Sequence, residues 1–185
     1  MIRLENVIKV FNQGTVNENT ALRGINLRVK EGDFITIVGS NGAGKTTLFN
    51  TISGSFAPTS GEIFFNDRNA TRMPEYKRAK YLGRIFQDPL MGTASNMSLE
   101  DNMMICYKKG FKGLKISLNS RMREKFREEL KALDMGLESR MEYNVQLFSG
   151  GQRQALTLLM TVLSHPDLIL LDEHTAALDP KNAAL

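Results

Sequence analysis

Apolar and polar residues follow one another along the first part of the chain in a pattern typical of β-strands. The stretch "RLENVIKV" (3–10) alternates, while "GINLRV" (24–29) and "FITIV" (34–38) are short apolar runs. The last two flank a cluster of turn residues, which predicts a hairpin between them. That cluster comprises Glu31, Gly32 and Asp33. Two further strands are predicted at 59–67 ("TSGEIFFND", after a turn) and 81–86 ("YLGRIF").

Helical spacing marks four other segments of the chain. They are 45–54, ended by Gly54 as a C-terminal cap; 74–80, opened by Pro74; 99–109, capped by Ser98; and 121–134, preceded by Ser120. The strand pattern returns only at "PDLILLDE" (166–173). A mainly helical insertion therefore interrupts an α/β core. The predicted parts are a first core part at 1–87, a helical subdomain at 88–148 and a second core part at 149–185.

Composition narrows the function classes only a little. Of the 185 residues, 42% are hydrophobic and 24% charged, which is ordinary for a globular protein. No apolar run approaches the ~20 residues that span a bilayer. The single cysteine, Cys106, excludes an internal disulfide and is typical of the cytoplasm. The net charge of +4 comes largely from 107–134, where a solvated helix face explains it better than a nucleic-acid patch, because no stacking aromatics accompany it.

The motif "GSNGAGKT" (39–46) has the G-x-x-x-x-G-K-[ST] spacing of a phosphate-binding loop. Its glycines let backbone N–H groups turn towards phosphate oxygens, and a helix N-terminus follows them. Lys45 would reach the β- and γ-phosphates, and the Thr46 hydroxyl would bind Mg²⁺. The expected context is an apolar strand before the loop and an amphipathic helix after it. An ordinary glycine-rich turn explains this combination less well.

A second motif, "DLILLDEHTAALDP" (167–180), delivers two acids at the carboxyl end of an apolar strand, where open α/β sheets bind ligands. Asp172 suits the Mg²⁺ shell. Glu173 suits the general base that phosphoryl transfer to water requires. Taken alone, such a pair is most often a helix cap or a surface pair; the phosphate loop favours the catalytic interpretation.

The third motif is "FSGGQ" (148–152), which opens the apolar helix "QALTLLMTVL" (154–163). Ser149 and the two glycines present backbone donors and a positive helix end to an anion. Taken alone, this pattern is a capped helix start.

Together these motifs resemble the nucleotide-binding subunit of ATP-binding cassette (ABC) proteins along the whole chain. "GSNGAGKTT" is similar to the family's Walker A loop, "LILLDE" to its Walker B strand, "FSGGQ" to its LSGGQ signature, "AALD" to its D-loop and "RIFQDP" to its Q-loop. The resemblance implies a P-loop NTPase: an α/β fold with a mixed sheet core, an N-terminal antiparallel β part and an inserted helical subdomain. The resemblance also implies that the protein is an enzyme, a Mg²⁺-dependent ATPase.

The resemblance also assigns roles to individual residues. The catalytic residues would be Glu173, Lys45 and Gln87. The residues contacting ATP would be Phe11, which stacks on adenine, with Gly39, Ser40, Asn41, Gly42, Ala43, Gly44, Lys45, Thr46, Thr47, Ser149, Gly151, Gln152 and Asp179. The Mg²⁺ ligands would be Thr46, Gln87 and Asp172. A core position is the alternative for the lone aromatic Phe11.

In this family two subunits pair head to tail around two ATP molecules, and each signature loop caps the nucleotide held by the other subunit. The resemblance therefore implies as partners a second nucleotide-binding subunit, a membrane permease that contacts 88–102, and an extracytoplasmic solute-binding protein. Nucleic acid is not an expected partner. The implied function is coupling ATP-driven dimerisation to solute import, at the cytoplasmic face of the cell membrane.

The chain departs from the family pattern in three places. Phe148 stands for the usual leucine of the signature and Phe11 for the usual tyrosine. The family's switch histidine beyond the D-loop has no counterpart, because neither His165 nor His174 stands in that position. The chain is therefore expected to be a C-terminally truncated subunit, and its own turnover stays open.

Two alternative functions remain. One is a soluble ABC ATPase acting on ribosomes or nucleic acid, although such relatives usually carry two cassettes or long coiled-coil insertions. The other is a non-catalytic nucleotide-binding module, which the missing switch histidine favours.

Overall fold

The computed structural model describes residues 1–86, 88–107 and 118–172. These residues form an α/β structure, as predicted, and their contacts divide the chain after Leu82 into two compact units. Here the residues up to Leu82 are called the first unit and those from Gly83 the second unit. The division into parts at 1–87, 88–148 and 149–185 stays a prediction.

The first unit contains a four-stranded antiparallel sheet in the order β2-β1-β3-β4. The central strand, β1, pairs on both sides, so Leu4 lies opposite Leu27 of β2 and Ile63 of β3. Leu4 and Ile63 are almost fully buried, which gives the sheet an apolar face. The predicted strands of this part are thus confirmed except one. The strands are β1 (Ile2–Phe11), β2 (Asn19–Val29), β3 (Ser60–Phe65) and β4 (Arg68–Asn69).

The strand predicted at 34–38 is wrong. Residues 33–40 have no regular secondary structure, and the side chains of Phe34 and Val38 are 88% exposed. The hairpin of β2 is made with β1 rather than with this segment. An apolar run becomes a strand only when other strands pair with it, and none of the strands in the described part of the chain does.

Two helices of the first unit are joined by a buried guanidinium. They are α1 (Lys45–Ser53), which ends at Gly54 in the left-handed conformation as predicted, and α2 (Glu75–Arg78), which follows Pro74. Arg78 is 1% exposed and donates hydrogen bonds to four backbone carbonyls. Burial lowers the pKa of Arg78 to about 10, so the side chain stays charged at neutral pH. The four acceptors are the carbonyls of Thr51, Ile52, Thr71 and Met73.

The second unit is mainly helical, with a two-stranded sheet of β5 and β6. Its helices surround an apolar cluster that includes Leu99, Met103, Phe126, Leu130 and Leu156. Ser98 begins α3, as predicted, but α4 is capped by Asn119, which the sequence analysis did not identify. The elements are β5 (Leu82–Ile85), α3 (Leu99–Tyr107), α4 (Ser120–Lys131), α5 (Gly150–Leu163) and β6 (Leu168–Leu171), with short 3-10 turns at Pro89–Gly92, Leu137–Ser139 and Val145–Leu147.

Candidate functional site

The glycine-rich segment at 39–47, called the phosphate loop below, has a backbone that favours glycine at two positions. Gly42 and Gly44 have φ angles of +82° and +90°, in the left-handed region. A Cβ atom at Gly44 would lie 2.6 Å from the carbonyl oxygen of Ala21. The loop is therefore fixed against β2 at the residue that immediately precedes α1.

The start of α1 is chemically suited to an anion. Gly44 provides no side-chain cap, and the first turn contains no acidic residue, so the helix dipole is not neutralised there. The Lys45 ammonium reaches back over the loop and donates to the carbonyls of Gly39 (2.7 Å) and Ser40 (3.0 Å). Thr46, in the first turn, is exposed. These groups fit the phosphates of a nucleotide.

Phe11 lies at the end of β1, at the same side of the first unit as the phosphate loop. It pairs with Asn19 of β2, two residues before Ala21, against which Gly44 packs. The Phe11 ring is half-buried and meets the ring of Phe56 edge to face at 5.4 Å between centroids. A partly open ring close to the loop could stack on a base.

Two neighbours of Phe11 were not predicted from the sequence. Phe56 packs against the ring, and the Lys9 ammonium lies 5.1 Å from the Phe11 centroid while donating to the carbonyl of Ala57 at 2.8 Å. Neither residue belongs to a motif. Only the alternation of β1, which puts Lys9 and Phe11 on one face, hinted at Lys9.

The "FSGGQ" motif, called the signature loop below, forms a reciprocal capping box at the start of α5. The Ser149 hydroxyl accepts from the Gln152 backbone N–H at 3.2 Å, and the Gln152 side-chain oxygen accepts from the Ser149 N–H at 3.1 Å. Phe148 is buried, with the Arg140 guanidinium 4.8 Å from its ring centroid. The predicted helix start is confirmed.

The described part of the chain does not require the glycines of the signature loop. Neither Gly150 nor Gly151 has a left-handed φ angle, and a Cβ atom at either position would meet no atom of the described residues within 4 Å. The loop thus presents open space and backbone N–H groups to the outside of the second unit.

Asp172 lies at the end of β6, where its backbone N–H donates to the carbonyl of Ile85 at 3.2 Å. Its carboxylate is 3.9 Å from the Arg84 guanidinium, and both side chains are 13% exposed. Arg84 is a neighbour that no sequence motif indicated. Among the residues that the structure describes, no cluster of three His, Cys, Asp or Glu side chains could hold a metal ion.

Three predicted site residues lie outside the described part of the chain. They are Gln87, Glu173 and Asp179. Phe11 and the phosphate loop belong to the first unit, whereas the signature loop and Asp172 belong to the second. No helix within 1–86, 88–107 or 118–172 is long and apolar enough to cross a membrane.

Comparison with known proteins identifies the class to which this site belongs. The ABC transporter family model matches residues 22–176. A tyrosine transport ATP-binding protein of Clostridioides difficile is 38% identical over 99% of this chain and 73% of that protein. The thiamine import ATP-binding protein ThiQ of Haemophilus influenzae is 35% identical over 98% of this chain and 76% of that protein.

Solved structures agree with the sequence relatives. A dimeric ATP-binding cassette, MJ0796, bound to ADP and Pi, superposes with a TM-score of 0.81 at 28% identity, over 98% of this chain and 77% of that one. The chain therefore belongs to the ABC transporter family, as a nucleotide-binding domain with the P-loop NTPase fold. It is an ATPase cassette that binds adenine nucleotides.

Proposed function

We propose that the chain is the energy-supplying subunit of a solute importer, and that it hydrolyses ATP held between the phosphate loop of one copy and the signature loop of another. The observation that carries this proposal is the open pair Gly150 and Gly151 at a capped helix start. A glycine in a helix costs about 0.5–1 kcal/mol relative to alanine. Since neither the packing of the described residues nor the backbone geometry needs these glycines, we infer an external group that approaches the backbone closely.

The chemistry of that external group follows from the helix start. The N-terminal backbone N–H groups of α5 carry a partial positive charge and attract an anion. Ser149 and Gln152 hold each other in the free chain, so both side chains lie at the edge of this opening and are available to a ligand that exchanges the capping bonds. A γ-phosphate on the phosphate loop of a second copy is such a ligand.

Within one copy, the phosphate loop supports binding of the ATP phosphates through Lys45 and the start of α1. Phe11 would stack on the adenine. Thr46 and Asp172 supply oxygen donors of the kind Mg²⁺ prefers, and the family resemblance adds Gln87, so we assign these three residues to the metal. Bound Mg²⁺ would neutralise charge on the phosphates. Glu173 would accept a proton from the attacking water, and Asp179 would meet the partner chain.

The relatives support the partners that we propose. The tyrosine transport and thiamine import proteins are transport subunits by name, and MJ0796 is dimeric in its structure. By analogy we infer a second cassette, a permease that contacts 88–102 and an extracytoplasmic solute-binding protein. The chain would then lie on the cytoplasmic face of the membrane.

Glu173→Gln in the full-length gene product tests the enzymatic part. The change keeps the side-chain shape and removes the base, so hydrolysis should fall by about 100-fold or more, while ATP-driven dimerisation measured by analytical ultracentrifugation persists. The matched control is Glu31→Gln, an exposed residue outside all motifs, which should change neither quantity. Retained turnover in the Glu173 variant would contradict the assignment.

A tagged pull-down of the full-length product from detergent-solubilised native membranes, followed by mass spectrometry, tests the importer part. We expect a multi-span membrane protein. Ribosomal proteins or nucleic acid without a membrane partner would contradict the importer and favour the soluble ATPase.

A further inference from the structure

One buried amide side chain in the second unit organises a loop that lies outside the sequence motifs. Asn102, on α3, is 3% exposed, and its side-chain oxygen accepts from the Ala94 N–H at 2.8 Å. Its NH₂ group donates to the carbonyls of Ala94 at 3.0 Å and Ser98 at 2.9 Å, with a longer bond of 3.4 Å to Met97. A single side chain therefore binds the backbone at both ends of the 94–98 loop.

This loop is hydrogen-bonded to the segment that leads into the signature loop. Residues 95–100 and 141–146 face each other, and four backbone bonds, called the ladder below, join them. Because 141–146 ends two residues before Phe148, the ladder sets where the signature loop starts. Its bonds run from the N–H groups of Leu99, Glu100, Val145 and Gln146 to the carbonyls of Tyr143, Met141, Met97 and Ser95, at 2.9–3.1 Å.

The other end of the same segment is held from the signature helix. Arg153, in the first turns of α5, donates from Nε to the carbonyl of Phe148 at 2.9 Å and from Nη2 to the carbonyl of Gln146 at 3.1 Å. The backbone before Ser149 is thus bound on one side by the ladder and on the other by Arg153. A change in the 94–98 loop has a direct path to the signature loop.

We propose that Asn102 is a positioning residue for the signature loop, which it holds through the ladder in the geometry that binds the partner copy's nucleotide. This rests on the proposed function of the signature loop. Asn102 is remote from the phosphate loop in sequence and belongs to the other unit. Its loss should therefore weaken ATP-driven dimerisation and spare nucleotide binding by the single chain.

Asn102→Asp in the Glu173→Gln background of the full-length product tests this proposal. The change keeps the acceptor for Ala94 but turns the donating NH₂ group into an oxygen that faces carbonyls. We expect ATP-driven dimerisation, followed by analytical ultracentrifugation, to weaken by about tenfold or more, as the loss of buried hydrogen bonds implies. The affinity of the monomer for fluorescent mant-ATP should stay within about twofold of the parent's, since its site uses none of these bonds.

Asn119→Asp is the matched control, because it makes the same chemical change at the cap of α4, where the acceptor for the Met122 N–H is kept. It should leave both quantities unchanged. A merely structural role of Asn102 would instead lower thermal stability and monomer affinity together. Unchanged dimerisation of a folded Asn102→Asp protein would overturn the proposal.

If Asn102→Asp does not fold, Ala94→Pro removes one N–H donor to Asn102 from an exposed position and carries the same test. We expect it to weaken dimerisation by about threefold or more, the effect of one hydrogen bond, and an unchanged value would overturn the proposal. Dimerisation of the Glu173→Gln parent distinguishes failure of the signature-loop function from failure of the Asn102 role. A Glu173→Gln parent that does not dimerise with ATP contradicts the proposed function, whereas a dimerising parent with unaffected Asn102 and Ala94 variants contradicts only the positioning role.

Discussion

The phosphate loop and the signature loop look alike in sequence, since each is a glycine-rich turn that opens a helix, but their glycines answer different needs. Gly42 and Gly44 have left-handed backbones, and Gly44 also packs against Ala21. Gly150 and Gly151 have neither constraint. Folding of the described residues thus explains the first pair but not the second, which we assign to contact with a second copy.

The starts of α1 and α5 also differ in how they are capped. No side chain caps α1, and Lys45 is bonded to the loop's own carbonyls. In contrast, α5 is closed by the reciprocal bonds of Ser149 and Gln152. An anion at the first site meets no side-chain cap, whereas at the second it must displace one. This difference is consistent with a nucleotide site at α1 that acts in the single chain and a site at α5 that binds only in the presence of a second copy.

The largest effect is expected for Gly44→Ala. A left-handed φ costs a non-glycine residue about 1–2 kcal/mol, and the clash with Ala21 adds about 1–3 kcal/mol. Mant-ATP binding by the single chain should be lost, and thermal unfolding should move to lower temperature. Gly42→Ala is the matched control, because its φ is also left-handed but its Cβ would meet no atom within 4 Å. Equal destabilisation by both changes would show that the contact with β2 is unimportant.

Gly151→Ala should affect dimerisation rather than stability or nucleotide binding by the single chain. The free energy of unfolding should not fall, since alanine favours a helix by up to about 1 kcal/mol over glycine. Monomer affinity for mant-ATP should be unchanged, whereas dimerisation in the Glu173→Gln background should disappear because the added methyl group occupies the approach to the backbone. Denaturant unfolding and analytical ultracentrifugation measure the two quantities. If this variant dimerises normally, Gly151 is not needed for dimerisation, and the proposed difference between the two loops is wrong.

Phe11→Leu should weaken nucleotide binding moderately. Stacking of an aromatic ring on a base contributes about 1–3 kcal/mol, so mant-ATP affinity should fall by roughly tenfold while inorganic triphosphate binding stays the same. Phe56→Leu is the control, since it removes the neighbouring ring that packs on Phe11 at 5.4 Å and leaves the stacking face in place. A larger loss of mant-ATP affinity in the Phe56 variant would show that the base stacks on Phe56 rather than on Phe11.

The smallest effect is expected for Ser149→Ala. Loss of an N-cap costs about 1 kcal/mol of stability, and dimerisation should weaken by a few-fold because the backbone N–H groups still face the ligand. Asn119→Ala removes a side-chain cap of the same kind from α4, outside the 94–98 loop, and should match Ser149→Ala in denaturant unfolding but not in dimerisation. Identical dimerisation of the two variants would make Ser149 a cap only.

The sequence predicted what depends on neighbours along the chain and missed what depends on distant ones. Periodicity and capping residues located β1, α1 and α5, and glycine spacing located both loops. The strand predicted at 34–38 failed because pairing is a non-local property. Arg78 and Asn102 were missed for the same reason, since a charged or amide side chain becomes a buried hydrogen-bonding centre only through backbone carbonyls that folding brings to it. Glu173 and Asp179 stay predictions.

The central claim is that the signature loop serves the nucleotide of the partner copy, and mixing two defective chains tests it most directly. Lys45→Ala and Gly151→Ala, each in the Glu173→Gln background, should not dimerise with ATP when alone. In a one-to-one mixture, the phosphate loop of the Gly151 variant meets the intact signature loop of the Lys45 variant, so we predict that an ATP-dependent dimer appears in analytical ultracentrifugation. If the mixture stays monomeric while the Glu173→Gln parent dimerises, the signature loop acts on its own chain's nucleotide and the account is contradicted.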